Sequence, residues 1–365
     1  DVCLESYLEG RKDLFEGLKI MQMEKDWKHY PVIRLDMSRG GASEDTLRSY
    51  LNLRFKDYEE KYNITPDPTA MLADRFHAII ATAYKQTGLR VAVLIDEYDS
   101  PLQHSWRTPE HEKCTGVYRE VFAILKADDE YEQFIFITGI TKFTQISLFS
   151  VLNNLSNISF MPEYATICGI TEEEIKENFM PELNQMSEAN NWSVEETHDR
   201  LKTYYDGYHF SRRNMGDVYN PYSLVNALKS KEIINFWASS GATSLLPKFV
   251  DNAELRISKF ENCSVMRNTL ELSDVSGGGA ELFLYQSGYL TIKECDEFGY
   301  VLGFPNEEVK QALYEMVLPA LTLRTKSNIQ SIQANLYAQL GTGQVDEAIL
   351  IKTDSGYEMK SIWSR

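Results

Sequence analysis

The stretch Ala92 to Pro101, "AVLIDEYDSP", runs an apolar segment straight into Asp96, Glu97 and Asp99. A short apolar run of this length, rich in Val and Ile and closed by turn residues, predicts a buried strand. Carboxylates gathered at the end of such a strand form a polar edge where a bound ligand or metal can be met. They also make good turn chemistry, with Asp99 available to cap whatever follows.

Working outward from this strand, "YPVIRLDM" (30–37) is short, β-branched and followed by "SRGGAS", and predicts a second buried strand. The segment "SEDTLRSYLNLRFKDYEEKY" opens on Ser43 as an N-cap. The next helical stretch, "DPTAMLADRFHAIIATAYKQTG", has Pro68 in its first turn and stops at Gly88. A helix over Pro109 to Asp128, a strand "EQFIFITGI" and a fourth strand "ATICGI" (165–170) complete the expectation. Continuous apolar strands separated by helices predict a three-layer α/β domain with a parallel sheet covered on both faces. From Thr171, whose capping box is closed by Glu174, the texture becomes helical up to about residue 275. Beyond the Gly-rich break "SDVSGGGAEL" the order helix, strand, turn, strand, helix predicts a small winged-helix-like α+β region. The expected domains are therefore 1–170, 171–275 and 276–365.

Bulk properties narrow the function classes. The 365 residues are 43% hydrophobic, enough for sizeable cores in two or three domains. A formal net charge of −17 opposes nonspecific binding to a phosphate backbone, so nucleic acid is expected only through a local basic patch. The five cysteines are odd in number, widely spaced and without a CxxC pair, which argues against a disulfide framework or structural zinc and fits a reducing cytoplasm. No apolar run is long enough to cross a bilayer, and the acidic start lacks a signal-peptide pattern. The six histidines show no HxxxH or HExxH spacing, and no Gly-x-Ser-x-Gly elbow occurs.

The chemistry therefore centres on the acidic strand end. In P-loop NTPases an Asp at that position holds the water shell of Mg²⁺, and the following Glu polarises the water that attacks the γ-phosphate. Asp96 and Glu97 fit those two roles. Thr138, closing "FIFITGITK", sits where the adjacent strand presents a polar group toward the γ-phosphate, or else satisfies its own turn. Asp36 ends its strand at the same edge and reads as a cap.

The segments "LIDEYDSPL", "FITGITKFTQISLFSVLNNLSNIS", "YYDGYHFSRRNMGDVYNPYSLVNAL", "FWASSGATSLLPKFV" and "FLYQSGYLT" occur in that order from about residue 4 to 320. In these the chain resembles the AAA-ATPase-like family of bacterial proteins known from Bacteroides and clostridia. Its members are similar to P-loop ATPases and often carry a C-terminal PD-(D/E)XK nuclease-like domain. The resemblance implies ATP and Mg²⁺ as cofactors, Asp96 as the metal-linked acid of a Walker B motif, Glu97 as the catalytic base and Thr138 as a sensor-like group. Gly207, Tyr208, Asn220, Pro221 and Tyr222 match the family's helical-domain signature, and as "DGY" and "YNP" they are also turn chemistry. No GxxxxGK[ST] occurs in these 365 residues, and the family's phosphate-cradling loop would precede the first helix. Weak or no ATP turnover by this polypeptide is the expectation.

Two alternatives come from other classes. One is a nonenzymatic binding or assembly module, with a protein partner or a second copy of the chain, and "SRRN" (211–214) as a basic cluster acting in trans. The other is a nuclease remnant in the terminal hairpin "VDEAILIKTDSGYEMKSIW", where Asp346, Glu358 and Lys360 have PD-(D/E)XK spacing.

Overall fold

The computed structural model describes residues 2–67, 69–142, 155–213, 216–239, 260–272 and 279–322, together with the backbone of 348–353 and 356–361. Pro68, 143–154, 240–259, the Gly-rich 273–278, Asp346 and the side chains of Glu358 and Lys360 lie outside the described residues. Compactness divides the chain into two units, 1–157 with 272–278 and 158–271 with 279–365.

Unit 1 is built on the acidic strand. Helix α1 (Val2–Leu8) and the short α2 (Ile20–Met23) precede β1 (Val32–Asp36), and α3 (Glu44–Lys61) and α4 (Leu72–Thr87) lead to β2 (Val91–Asp96). Helices α5 (Ser100–Ser105), α6 (Glu110–Phe122) and α7 (Ile124–Ala127) then lead to β3 (Glu132–Ile137). The three strands are parallel in the order β1-β2-β3, with Asp36 opposite Asp96 in register. The expected α/β class with a parallel sheet is therefore observed, with β2 in the centre. Val32, Ala92 and Leu94 form one core with Leu8, against which Leu4, Tyr7 and Phe136 pack, so α1 covers that face. The alternating residues Ile33, Leu35, Val93 and Ile95 are buried as completely, which requires cover on the other face too. Phe55 of α3 and Phe76 of α4 stack 5.2 Å apart within the helical layer.

Local chemistry explains the boundaries. Ser43 caps α3, but its capping box is closed by Thr46, the residue at N3. Gly88 stops α4 in the left-handed conformation, φ +68°. Helix α4 begins at Leu72, later than the expected Pro68 start. The single helix expected over 109–128 is broken at Ala123 into α6 and α7, and α5 is an additional turn that the residues after Asp99 form. The outer edge of β1 is closed by Tyr58 of α3. Its hydroxyl accepts from the Arg34 N–H at 2.7 Å and donates to the Arg34 carbonyl at 3.2 Å.

Unit 2 begins with helices α8 (Glu172–Asn178), α9 (Met180–Asn190), α10 (Val194–Tyr205) and α11 (Pro221–Ser230), with the Thr171–Glu174 capping box as expected. Leu183, Met186, Leu201, Tyr205 and Leu224 form their shared core. The fourth strand expected at 165–170 does not form. Residues 165–168 turn, and Ile170 makes only an isolated antiparallel bridge to Tyr219. Further along come β4 (Cys263–Met266), α12 (Arg267–Leu272), α13 (Gly279–Gln286), β5 (Thr291–Cys295), β6 (Gly299–Gly303) and α14 (Glu307–Thr322). The helix, strand, turn, strand, helix order is present, with β4 as a third strand in an antiparallel sheet ordered β4-β6-β5. The terminal hairpin pairs β7 (Ala348–Thr353) with β8 (Gly356–Ser361), placing Glu358 opposite Ile351 and Lys360 opposite Ile349. Among the described residues no helix is long and apolar enough to cross a membrane.

Candidate active site at the carboxyl edge of the sheet

Asp36, Asp96 and Thr138 come together because three parallel strands end at one edge. Ligands of open parallel sheets meet the protein at that edge. Asp96 leaves β2 with its side chain 29% exposed, so it is neither sealed in the core nor fully in solvent. Thr138 follows β3, its N–H donating to the Ile95 carbonyl at 2.8 Å. Its hydroxyl donates to Asp96 Oδ1 at 2.7 Å rather than satisfying its own turn. The other carboxylate oxygen, Oδ2, receives Arg34 Nη2 at 3.3 Å. Arg34 Nη1 in turn reaches Glu5 Oε2 at 3.5 Å, tying the acidic edge to α1. Asp36 is taken by a cap: its Oδ1 accepts from the Ser38 amide at 3.2 Å and the Ser38 hydroxyl at 2.6 Å.

Glu97 is exposed and has a backbone φ of +46°, a left-handed conformation costly for a side-chain-bearing residue. The turn lets the next amide, Tyr98 N–H, donate to the Thr138 carbonyl at 2.9 Å while Glu97 stands clear of the sheet. Partial desolvation by the surrounding protein, and then the charges of Asp96, Asp36 and Asp99, raise its carboxyl above the ordinary range; His104 opposes them. His104 Nδ1 lies 2.7 Å from the Ser100 carbonyl, which can only accept. That places a proton on Nδ1.

Asp99 does something the sequence did not reveal. Its side chain does not cap α5; it is 1% exposed and clamps the loop after β3. It accepts from the Thr141 amide, from the Thr141 hydroxyl at 2.6 Å and from the Ile140 amide at 3.2 Å. Gln103 Nε2 donates to Thr141 Oγ1 at 3.0 Å, and the Tyr98 hydroxyl to the Thr141 carbonyl at 2.9 Å. Gly139 permits the closure, since a Cβ there would collide with Asp99 Oδ1 and the Tyr98 ring. Burial raises the Asp99 carboxyl above its usual value against the pull of these donors.

Arg34 and Asp99 are thus the site residues that sequence reasoning missed. The available signal for Arg34 was a lone cation inside a β-branched strand. For Asp99 there was none, because the Ile140 and Thr141 donors of the loop it clamps lie some forty positions away.

Among the described residues no three His, Cys, Asp or Glu side chains are grouped to hold a metal ion by themselves. A nucleotide-bound Mg²⁺ does not require such a cage, since one or two carboxylates and retained waters suffice when phosphates complete the shell. Asp96, half-open and hydrogen-bonded by Thr138, fits that limited role once Arg34 gives up Oδ2.

The other motifs found structural employment. Asn220 caps α11 by accepting from the Ser223 amide at 3.1 Å, with Pro221 in the first turn. Arg212 of "SRRN" is held by Glu271 at 2.6 Å, which removes it as a free arginine. Among the described residues no two cysteines form a disulfide.

Unit 1 is thus a parallel α/β unit with a half-open acidic strand end. Residues 2–149 match the model of the AAA-ATPase-like family, described as "Predicted AAA-ATPase". The chain is also similar to an "Uncharacterized protein in vnfD 5'region" of Azotobacter chroococcum mcd 1. The two are 30% identical over 324 residues, covering 86% of this chain and 60% of that protein. The chain thus spans less than two thirds of that relative's length.

Proposed function

We propose that unit 1 is an ATPase-like nucleotide-binding domain whose Walker B pair is Asp96 and Glu97. The observation that carries the reading is the bond from Thr138 to Asp96 at 2.7 Å at the open end of the central strand, beside an exposed Glu97 of raised basicity. In this reading Asp96 holds the solvated Mg²⁺ of a bound nucleotide, Thr138 orients that carboxylate, and Glu97 takes a proton from water. Mg²⁺ when bound neutralises charge on the phosphate oxygens. Glu97 suits proton transfer because a raised carboxyl is a better base near neutral pH.

The 365 residues contain no GxxxxGK[ST]. MgATP turnover by this polypeptide alone is therefore expected to stay at background in a phosphate-release assay. A kcat abolished by Asp96→Asn would overturn that expectation. Mg²⁺-dependent binding of a fluorescent ATP analogue, weakened by Asp96→Asn, tests the site itself.

A second reading, a binding or assembly module that keeps the fold without hydrolysis, draws on the Arg34 guanidinium that occupies Asp96 Oδ2. Absence of nucleotide binding in the same titration would favour it. For 263–322 the strand order β4-β6-β5 supports a winged-helix-like module. The turn between β5 and β6 carries Asp296, Glu297 and an exposed Phe298, chemistry suited to a protein surface rather than a phosphate backbone.

A further inference from the structure

The "DGY…D" part of unit 2 builds a second site. Asp206 follows α10 as its C-cap residue; its amide donates to the Lys202 carbonyl at 3.1 Å, and its own carbonyl accepts from Asn306 Nδ2 at 2.8 Å. Gly207 then turns with φ +92°, so close to the Pro305 carbonyl that a Cβ would collide with it. The turn closes through the Tyr208–Val218 bridge, with reciprocal amide bonds of 3.2 and 2.9 Å, and so returns Asp217 to the neighbourhood of Asp206. Asp206 is only 7% exposed, yet its Oδ1 has no hydrogen-bond donor. A buried carboxylate oxygen left in that state has lost its water without compensation.

Asp206 lines a cleft of about 340 Å³ together with Thr171, Glu172, Glu173, Lys202 and Asp217. Four carboxylates face one lysine there. The neighbouring basic groups are engaged: Lys176 Nζ and His198 Nε2 lie 3.1 and 2.7 Å from Glu172 Oε1, His209 Nδ1 meets Asp217 Oδ1 at 3.0 Å, and Lys293 Nζ donates to the Pro305 carbonyl at 3.2 Å. No group of three carboxylates, imidazoles or thiols among the described residues is placed for a metal ion. Carboxylates spaced around a wide cleft suit a donor that is itself extended and forked.

We infer that this cleft binds an organic cation, a guanidinium or primary ammonium group, which donates to the Asp206 carboxylate at its base and to Glu173 at its rim. The group is carried either by a free amine or by an arginine or lysine side chain of a partner polypeptide. The inference is independent of nucleotide binding by unit 1.

Isothermal titration of the full chain with agmatine, with the peptide acetyl-Gly-Arg-Gly-amide and with its citrulline counterpart tests it. Saturable binding of a guanidinium probe is expected, absent with citrulline and weakened about tenfold or more in Asp206→Asn and in Glu173→Gln. The second variant alters an exposed residue and keeps the test valid should the first perturb folding. Tighter binding of the peptide than of agmatine assigns the cation to a polypeptide, and the reverse assigns it to a free amine. No saturable heat with either probe, equal binding of citrulline, unchanged affinity in both variants, or displacement of the probe by stoichiometric Mg²⁺ would overturn it.

Discussion

Asp99 and Glu132 are buried carboxylates at opposite ends of the same sheet, and the difference between them is hydrogen bonding. Asp99 accepts three donors from the loop after β3, so truncating it strands the Thr141 and Ile140 amides. Asp99→Ala is expected to cost about 3 kcal/mol in urea unfolding. It should also weaken nucleotide-analogue binding, because Thr138 stands at the head of that loop. Glu132 has no such relief: it is 7% exposed, and neither carboxylate oxygen has a partner. Burial first, then Asp128 and Asp129, push its pKa from 4.5 up to about 8. Between those values the folded chain holds a proton the unfolded chain has released, so raising the pH through this window costs stability, on the order of 4 kcal/mol when complete. Glu132→Gln should therefore raise Tm by several degrees near pH 9 and leave it almost unchanged near pH 4. Equal shifts at both pH values would show that ionisation is not the cause.

At the scale of elements, β1 shows how an exposed edge is managed and how that links to the site. Tyr58 from α3 satisfies both backbone groups of Arg34, the residue whose side chain spans Glu5 and Asp96. Tyr58→Phe leaves that N–H and C=O unpaired and is expected to cost about 2 kcal/mol in denaturant unfolding. Amide exchange at Arg34 should accelerate more than at the β2 residues. On the other side, β3 is the edge strand among the described residues, with Phe134 39% exposed and stacked on Phe136 at 6.0 Å. The strand cores, the N-cap Ser43, the capping box at Thr171 and the Gly88 stop were legible because each depends on residues within one turn of one another. The break at Ala123 and the helix α5 were not, because tertiary packing overrides weak local preference there.

Across the molecule, unit 2 is tied together by bonds that span more than seventy residues. Thr291 Oγ1 accepts from the His209 amide at 2.8 Å, and Glu308 Oε1 accepts from the Phe236 and Trp237 amides at 2.8 and 2.9 Å. Together with the Asn306–Asp206 bond these join 158–239 to 291–308, across the expected boundary at 275. A polypeptide of 158–275 is therefore expected to lack a cooperative thermal transition by near-UV circular dichroism. Addition of 276–365 should restore it if those bonds are what hold the unit together. Independent cooperative melting of both pieces would support separate domains instead.

The order of residues alone made three apolar strands and the acidic end of one of them legible, because apolar runs and strand-end carboxylates are properties of neighbouring positions; the central place of that strand came from the fold. Tertiary structure alone decided that Thr138 serves Asp96, that Arg34 occupies its other oxygen, and that Asp99 holds the next loop instead of capping α5. It alone decided, too, that Asp206 is buried without a donor. Those contacts join positions some forty to a hundred residues apart, and only the closing of the chain sets their distances and removes their water.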